Sequence, residues 1–415
     1  MSDVLDRFLG YVKIHSTSDQ DNFDQTPSTP CQFDMAHKVA EELREMGCED
    51  VSVDEHAYVT ATVPASAGAE GLPALGLCAH LDTTPDAPGK DVHPSVVSYD
   101  GGVLRIGTDP YGHEVTVSPD ETPGLEDYAG DQFVCADGTT LLGADDKAAV
   151  AEIVSLAARL LAHPEMPRPR LRLALVPDEE IGHGARLLDL DAFGATWCYT
   201  VDGERTGSFM YECFNACMVE VEVNGVMVHP GTAKDIMVNA CSIVEELDQM
   251  LPAHERPEHT DGYEGYYHLM GFEGTPAHAR AVYILRDFDA DSFAHRKEML
   301  QSAADHLNLR YGAGTVEVSV TDQYRNMAEY LRDMPFLVDN GLEAIRRAGL
   351  TPKVEPIRGG TDGAQLTFRG LPCPNISNGS LNCHGFKELE SVSGLEKTVD
   401  ILQQLVALFA KPQQD

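Results

Sequence analysis

Hydrophobic and polar positions along the first two hundred residues switch repeatedly between two periods. Apolar residues at helical spacing predict a helix over 33–46, stopped by Gly47, and a longer one over 147–162. Short apolar runs bounded by polar or turn-forming residues predict strands at 51–53, 59–63, 75–78, 171–176 and 197–201. Val4, Leu5, Phe8, Leu9 and Val12 give the first eighteen residues an amphipathic helical face. Asp3, Asp6, Arg7 and Lys13 interrupt that face as they would not in a signal peptide. Alternation of this kind predicts an α/β fold with a central sheet covered by helices on both faces. A polar stretch rich in Gly and Pro, 85–140, interrupts the order and reads as an insertion with short strands.

The pattern changes after residue 207. A strand at 218–223, a helix at 238–251, paired strands at 266–272 and 281–287, a helix at 291–307 and a strand at 316–321 follow in turn. The order βαββαβ is the split, ferredoxin-like arrangement. A helix at 336–348, a loop at 358–363 and a last helix at 394–408 then resume the earlier style. The chain has 415 residues, more than one hydrophobic core usually serves. The simplest reading is a small domain, 208–322, inserted into a discontinuous larger one, 1–207 and 323–415.

Charge narrows the function. Thirty basic and 67 acidic residues give a net charge of −37, which excludes the basic surface that nucleic acid requires. No apolar run is long enough to cross a bilayer. Ten dispersed cysteines with no C-x-x-C pair read as thiols, which points to the cytoplasm. The acidic balance favours cationic ligands such as a protonated amino terminus.

Five short segments carry the chemistry: Ala79-His80-Leu81-Asp82, Gly143-Ala144-Asp145-Asp146-Lys147, Pro177-Asp178-Glu179-Glu180, Val201-Asp202-Gly203 and Asn382-Cys383-His384-Gly385. Four follow an apolar run, and open α/β sheets gather their sites at the carboxyl ends of strands. Two His and several carboxylates suit Zn²⁺, Mn²⁺ or Co²⁺. Asp145-Asp146 has a bland explanation, since acids favour the start of a helix. That explanation does not account for two acidic pairs without basic partners, whose repulsion a cation would relieve. In such a site one carboxylate bridges two metals, and one of the Glu pair stays free to take a proton from water. An isolated H-x-D is weak, yet Asp82 lies where it can orient the His80 ring. The Arg358-Gly359-Gly360-Thr361-Asp362-Gly363 loop lacks the phosphate-binding signature and suits a carboxylate or peptide better. His229-Pro230-Gly231-Thr232 reads equally well as a site residue or as a turn.

Taken in order, these segments resemble the peptidase T family, tripeptide aminopeptidases of the dinuclear-zinc exopeptidase superfamily. The resemblance spans roughly residues 8–405 and includes Leu141-Leu142-Gly143-Ala144-Asp145-Asp146-Lys147, His229-Pro230-Gly231-Thr232-Ala233-Lys234, Ile284-Leu285-Arg286-Asp287-Phe288-Asp289 and the stretch from Pro356 to Leu366. It implies a zinc-exopeptidase-like catalytic domain with a central mixed sheet, plus an inserted lid of the dimerisation type. It implies one zinc on His80, Asp145 and Asp202, and a second on Glu180, His384 and the bridging Asp145. Asp82 would orient His80, Glu179 would be the general base, and His229 would stabilise the oxyanion. Arg358 and Asn239 would contact substrate, a small peptide, and the Asp145-Asp146 peptide would be cis. The resemblance also leaves room for a homodimer. Glu204, Arg205, Ser380 and Cys383 depart from the family pattern without removing a ligand. Rival readings are a carboxypeptidase or an N-acyl amino acid deacylase on the same scaffold, and a non-catalytic metal-binding protein. A glycosidase using paired carboxylates would have no use for the two histidines.

Overall fold

Three neighbouring parallel strands, Leu171–Val176, Leu75–His80 and Trp197–Val201, form the centre of the larger unit. In the computed structural model, which describes residues 2–413, they belong to an eight-stranded mixed sheet. Glu49–Val53 and Val59–Val63 extend one side as antiparallel strands. Asn375–Ile376, Ser208–Met210 and Lys353–Val354 extend the other. The central strands are buried on both faces, which explains their largely apolar sequence, with Arg172 only part-buried. His80 pairs in register with Val176, and Cys78 with Thr200, so the three carboxyl ends finish at nearly one level.

Most predicted elements appear at or within a few residues of their expected places. The first helix is shorter, Asp3–Tyr11, and Met1 lies outside the described residues. Its expected continuation is lost because Ser16 donates to Leu81 O and Ser18 N to Thr83 O, tying 16–18 to the end of a central strand. The segment 85–140 is more than an insertion. Its strands Ser95–Tyr99 and Asp131–Cys135 join Leu389–Ser391 and Ser380–Leu381 in a second, four-stranded sheet. Residues 382–388, including His384, are the loop of the last antiparallel pair.

The smaller unit comprises Glu212–Ala328 with Pro356–Gly360. The boundary therefore falls four residues beyond 207, because Ser208–Met210 is a strand of the large sheet. The loop Pro356–Gly360 joins the smaller unit through Ile357 N donating to Glu212 O. Within it, Tyr266–Gly274, His278–Asp287, Asn215–Asn224 and Val316–Tyr324 lie in that order in an antiparallel sheet. Helices Ala240–Met250 and Ala290–Tyr311 bury Ile243, Leu247, Leu300 and Leu307 against Val219, Val221, Tyr283 and Leu285. This is the expected βαββαβ arrangement.

Gly76 lets the central sheet pack closely against the segment 193–198. A Cβ there would lie 2.9 Å from Cys198 Sγ, 3.0 Å from Phe193 Cε1 and 3.1 Å from Ala195 Cβ. Gly76→Ala should therefore destabilise the larger unit by about 1–3 kcal/mol through overpacking. A lowered midpoint in urea unfolding is the expected readout, and an unchanged midpoint contradicts the packing argument.

Candidate active site

His80 is the last residue of its strand and is almost fully buried. Its Nδ1 lies 3.1 Å from Asp82 O and 3.3 Å from Asp82 Oδ1, so Nδ1–H donates there. That leaves Nε2, 2.9 Å from Asp145 Oδ1, as the ring's free donor atom for a cation. The fully buried Asp82 also accepts from Glu179 N at 3.0 Å and Glu180 N at 3.2 Å. One carboxylate thus fixes the histidine and both glutamates.

Asp145 occupies the start of helix Ala144–Ala162, where the backbone leaves helical geometry at Asp145 and Asp146. The peptide between them is cis, as the resemblance implied. Gly143, with φ of 81°, turns the chain into this segment. Asp146 accepts from His80 N at 3.0 Å and from Asn378 Nδ2 at 2.8 Å. His384, at φ 65°, occupies a left-handed conformation that costs a non-glycine residue about 1–3 kcal/mol and marks functional loops. Its Nε2 is 3.0 Å from Glu180 Oε2 and 3.5 Å from Asp145 Oδ2, and its Nδ1 is 3.1 Å from Asp86 Oδ2.

Two donor groups result. His80, Asp145, Asp146 and Asp202 bring ligand atoms within 4.8 Å of one another, and so do Asp145, Glu180 and His384. Asp145 belongs to both. Glu179 belongs to neither, and its carboxylate makes no hydrogen bond to a described residue.

The electrostatics of this arrangement favour cations. Burial first, then Asp145, pushes Glu180 up to about 8. Burial, then Asp145 again, lifts Asp202 to about 6. Burial drives Glu179 well above the usual carboxylate range, with Asp202, Asp362 and Glu180 adding to it and His80 opposing. Asp145 alone goes down: burial opposes ionisation, but hydrogen bonds to His384 and His80 outweigh it. His384 rises to about 11 because Asp145 and Glu180 hold its proton. Asp82, Asp145, Asp146, Glu179, Glu180, Asp202 and Asp362 share this region with the imidazoles of His80 and His384, while buried Lys147, whose charge reaches Asp82, donates to Ile14 O. Glu180 Oε1 is buried without a partner. Oxygen-rich sites with histidine, short of positive charge and sharing one carboxylate, fit a pair of divalent cations.

The sequence reading missed the residues that hold this geometry. Fully buried Glu388 accepts from Leu142 N and Gly143 N at 2.7 Å and from Asp145 N at 3.0 Å. Asn378 anchors Asp146, and Asp86 faces His384. No local signal marks Glu388, which stands in the charged run Lys387-Glu388-Leu389-Glu390, and its partners lie some 245 residues away in the chain.

The remaining predicted residues lie in the smaller unit. His229 Nδ1 accepts from Gly231 N at 3.1 Å, so the neutral ring carries its proton on Nε2 and donates from there. Asn239 caps helix Ala240–Met250, accepting from Cys241 N. Arg358 donates to Gly262 O, Glu264 O, Thr260 O and Thr260 Oγ1, and stacks over Phe214 and Tyr266. Both Asn239 and Arg358 thus have structural partners of their own.

Fold and donor groups together define a class, a metallopeptidase with a catalytic domain and an inserted ferredoxin-like domain. The sequence pattern of a peptidase dimerisation domain matches residues 211–315. The chain is 45% identical over 412 residues to peptidase T of Caldanaerobacter subterraneus subsp. tengcongensis, covering 99% of this chain and all of the relative. Peptidase T of Clostridium novyi is also 45% identical with the same coverage. The chain belongs to the peptidase T family. Among solved structures, aminopeptidase PepT from Bacillus cereus has the same fold, with a TM-score of 0.75 at 20% identity, covering 99% of this chain and 98% of that one. A tripeptidase from Staphylococcus aureus matches with a TM-score of 0.76 at 20% identity, covering 98% of each chain.

Glu388→Ala would strip three backbone N–H groups of their acceptor and loosen the turn that presents Asp145. Metal affinity should fall about 10–100-fold, as for other groups that orient ligands. Competition against a chelator measures it, and an unchanged affinity removes Glu388 from the site.

Proposed function

We propose that this protein is a metallo-aminopeptidase that releases the N-terminal residue of tripeptides with a pair of zinc ions. The observation that carries the reading is the shared Asp145, common to two donor groups, with Glu179 beside both and bound to neither. Membership of the peptidase T family supports the reaction, and the net charge of −37 suits a substrate with a protonated amino terminus. All ten cysteines are free thiols, in keeping with a cytoplasmic setting.

His80, Asp145 and Asp202 would hold one cation, and Asp145, Glu180 and His384 the other. The chemistry such ions supply when bound is polarisation of the scissile carbonyl and a lowered pKa for the attacking water. Glu179 takes the proton from that water on a carboxylate oxygen and returns it to the departing amine. Burial suits it to the task by raising its affinity for a proton. Asp82 keeps Glu179 in place through the Glu179 backbone N–H and fixes the tautomer of His80. In the inserted domain, the Nε2–H of His229 is the donor assigned to the oxyanion that develops on the carbonyl.

Glu179→Ala should retain its metal yet lose roughly 10²–10⁴-fold in kcat. His80→Ala and Asp202→Ala should lose metal and activity together. The wild-type enzyme should cut tripeptides with a free amino terminus, cut dipeptides poorly and spare N-acetylated peptides, as followed by mass spectrometry. Efficient cleavage of blocked peptides would move the protein to the deacylase reading.

His229→Ala should lower kcat on the order of a hundredfold with metal content unchanged. If kcat holds and only thermal stability drops, the histidine serves the 229–232 turn alone.

A further inference from the structure

His384 stands apart from the other expected ligands in its setting. His80, Asp145 and Glu180 lie at a strand end, a helix start and a short turn, whereas His384 occupies the loop 382–388 between two short strands. Its side chain is 43% exposed, against 2% for His80 and 4% for Glu180. Asn382, at φ 54°, shares the left-handed backbone of His384. Two such residues in one exposed loop form a conformation that the surrounding structure has to enforce.

The enforcing contact comes from the 85–140 segment. Strand Glu114–Val117 runs into a turn, 118–125, closed by Thr122 N donating to Ser118 O at 2.8 Å and Leu125 N to Thr122 O at 3.1 Å. Val117 and Leu125, at its two ends, are buried in one apolar cluster with Leu381 and Leu389, which flank the His384 loop. Turn and loop thus share one foundation. From that turn the buried Thr122 donates through Oγ1 to Asn382 Oδ1 at 3.0 Å. The Asn382 amide also spans its own loop, Nδ2 donating to Lys387 O at 3.3 Å. Glu121 and Lys387 add an ion pair at 2.8 Å, but both are exposed, and such pairs hold little. The same is true of exposed Asp86, which meets the His384 ring.

We propose that Thr122 is a positioning residue for one of the two cations: its hydroxyl, acting through the Asn382 side chain, holds the 382–388 loop where His384 can join Asp145 and Glu180. The inference rests on the two-cation reading above. The group of His80, Asp145, Asp146 and Asp202 contains no residue of this loop, so loosening the brace weakens one cation and spares the other. Hydroxyl and amide form a single relay, and removing either breaks the same brace.

Titration of the full-length protein with Zn²⁺ against a competing chelator measures both affinities. Wild type should take up two Zn²⁺ per chain. Thr122→Val should bind one as wild type does and the other about 10–100-fold more weakly, while Thr122→Ser, which keeps the hydroxyl, should recover it. Asn382→Gly accepts the left-handed backbone yet lacks the amide, so it should match Thr122→Val. The double variant should lose no more than either single one. Asn382→Gly decides the question if Thr122→Val does not fold. Two wild-type affinities in Thr122→Val or in Asn382→Gly overturn the proposal alone, as do equal weakening of both cations and an additive loss in the double variant. Fewer than two Zn²⁺ in the wild-type protein overturns the two-cation reading, and the proposal with it.

Discussion

The structure is organised around a concentration of negative charge that water does not dilute. At the carboxyl ends of three parallel strands, carboxylates from five chain segments meet around two histidines, and burial strips away the solvent that would screen them. Like charges at these separations repel by several kcal/mol in a medium of reduced dielectric. Much of the surrounding architecture answers that problem. Backbone N–H groups converge on Asp82 and Glu388, Asn378 and the His80 N–H take up Asp146, and Ala185 N donates to Asp362 at 2.6 Å. These contacts supply fixed partial positive charge, but none supplies a full one. The residual deficit lies at Asp145, Glu180 and Asp202, the carboxylates of the two candidate donor groups.

The division of labour between Asp145 and Asp146 follows from the same constraint. Adjacent acids on a regular helix would both face solvent or compete for one partner. Here the helix breaks at their peptide, and the two acids find different partners, Asp145 the rings of His80 and His384, Asp146 the His80 N–H and Asn378. Asp146 uses both of its oxygens on His80 N and Asn378, which leaves Asp145 as the residue shared between the two groups.

Much of this was legible in the sequence where local rules decide the outcome. Largely apolar runs bounded by polar residues gave Leu171–Val176 and Trp197–Val201 with their ends in place, because parallel strands buried on both faces favour apolar side chains at most positions. The acids and His80 could be read because open α/β sheets gather their sites at the carboxyl ends of strands, and the family resemblance suggested a ligand set. Two kinds of feature could not be read. The 85–140 segment looked like an insertion because its strands pair with residues near 380–391, a partnership set by tertiary context. Glu388 and Asn378 looked ordinary because their role is defined by backbone groups more than two hundred residues away. Arg358 shows the converse. Its glycine-rich loop suggested ligand binding, yet the guanidinium is taken up by carbonyls at 260–264 and by two aromatic rings.

Gathering the site from distant segments also couples metal binding to folding. His80, Asp145, Glu180, Asp202 and His384 come within reach of one another only when the central sheet and the hairpin carrying His384 are both formed. An unfolded chain offers the same side chains without their arrangement, so cations that bind the assembled donors stabilise the native state in proportion to their affinity. Burial raises the proton affinity of Glu180 and Asp202, so cations at these donors would compete with acid and bind more strongly as the two groups ionise. The charge crowding that would destabilise the empty fold thus becomes the source of its affinity for metal. A chain that relaxed the crowding by replacing acids with neutral residues would gain a calmer core and lose the donors that the chemistry needs.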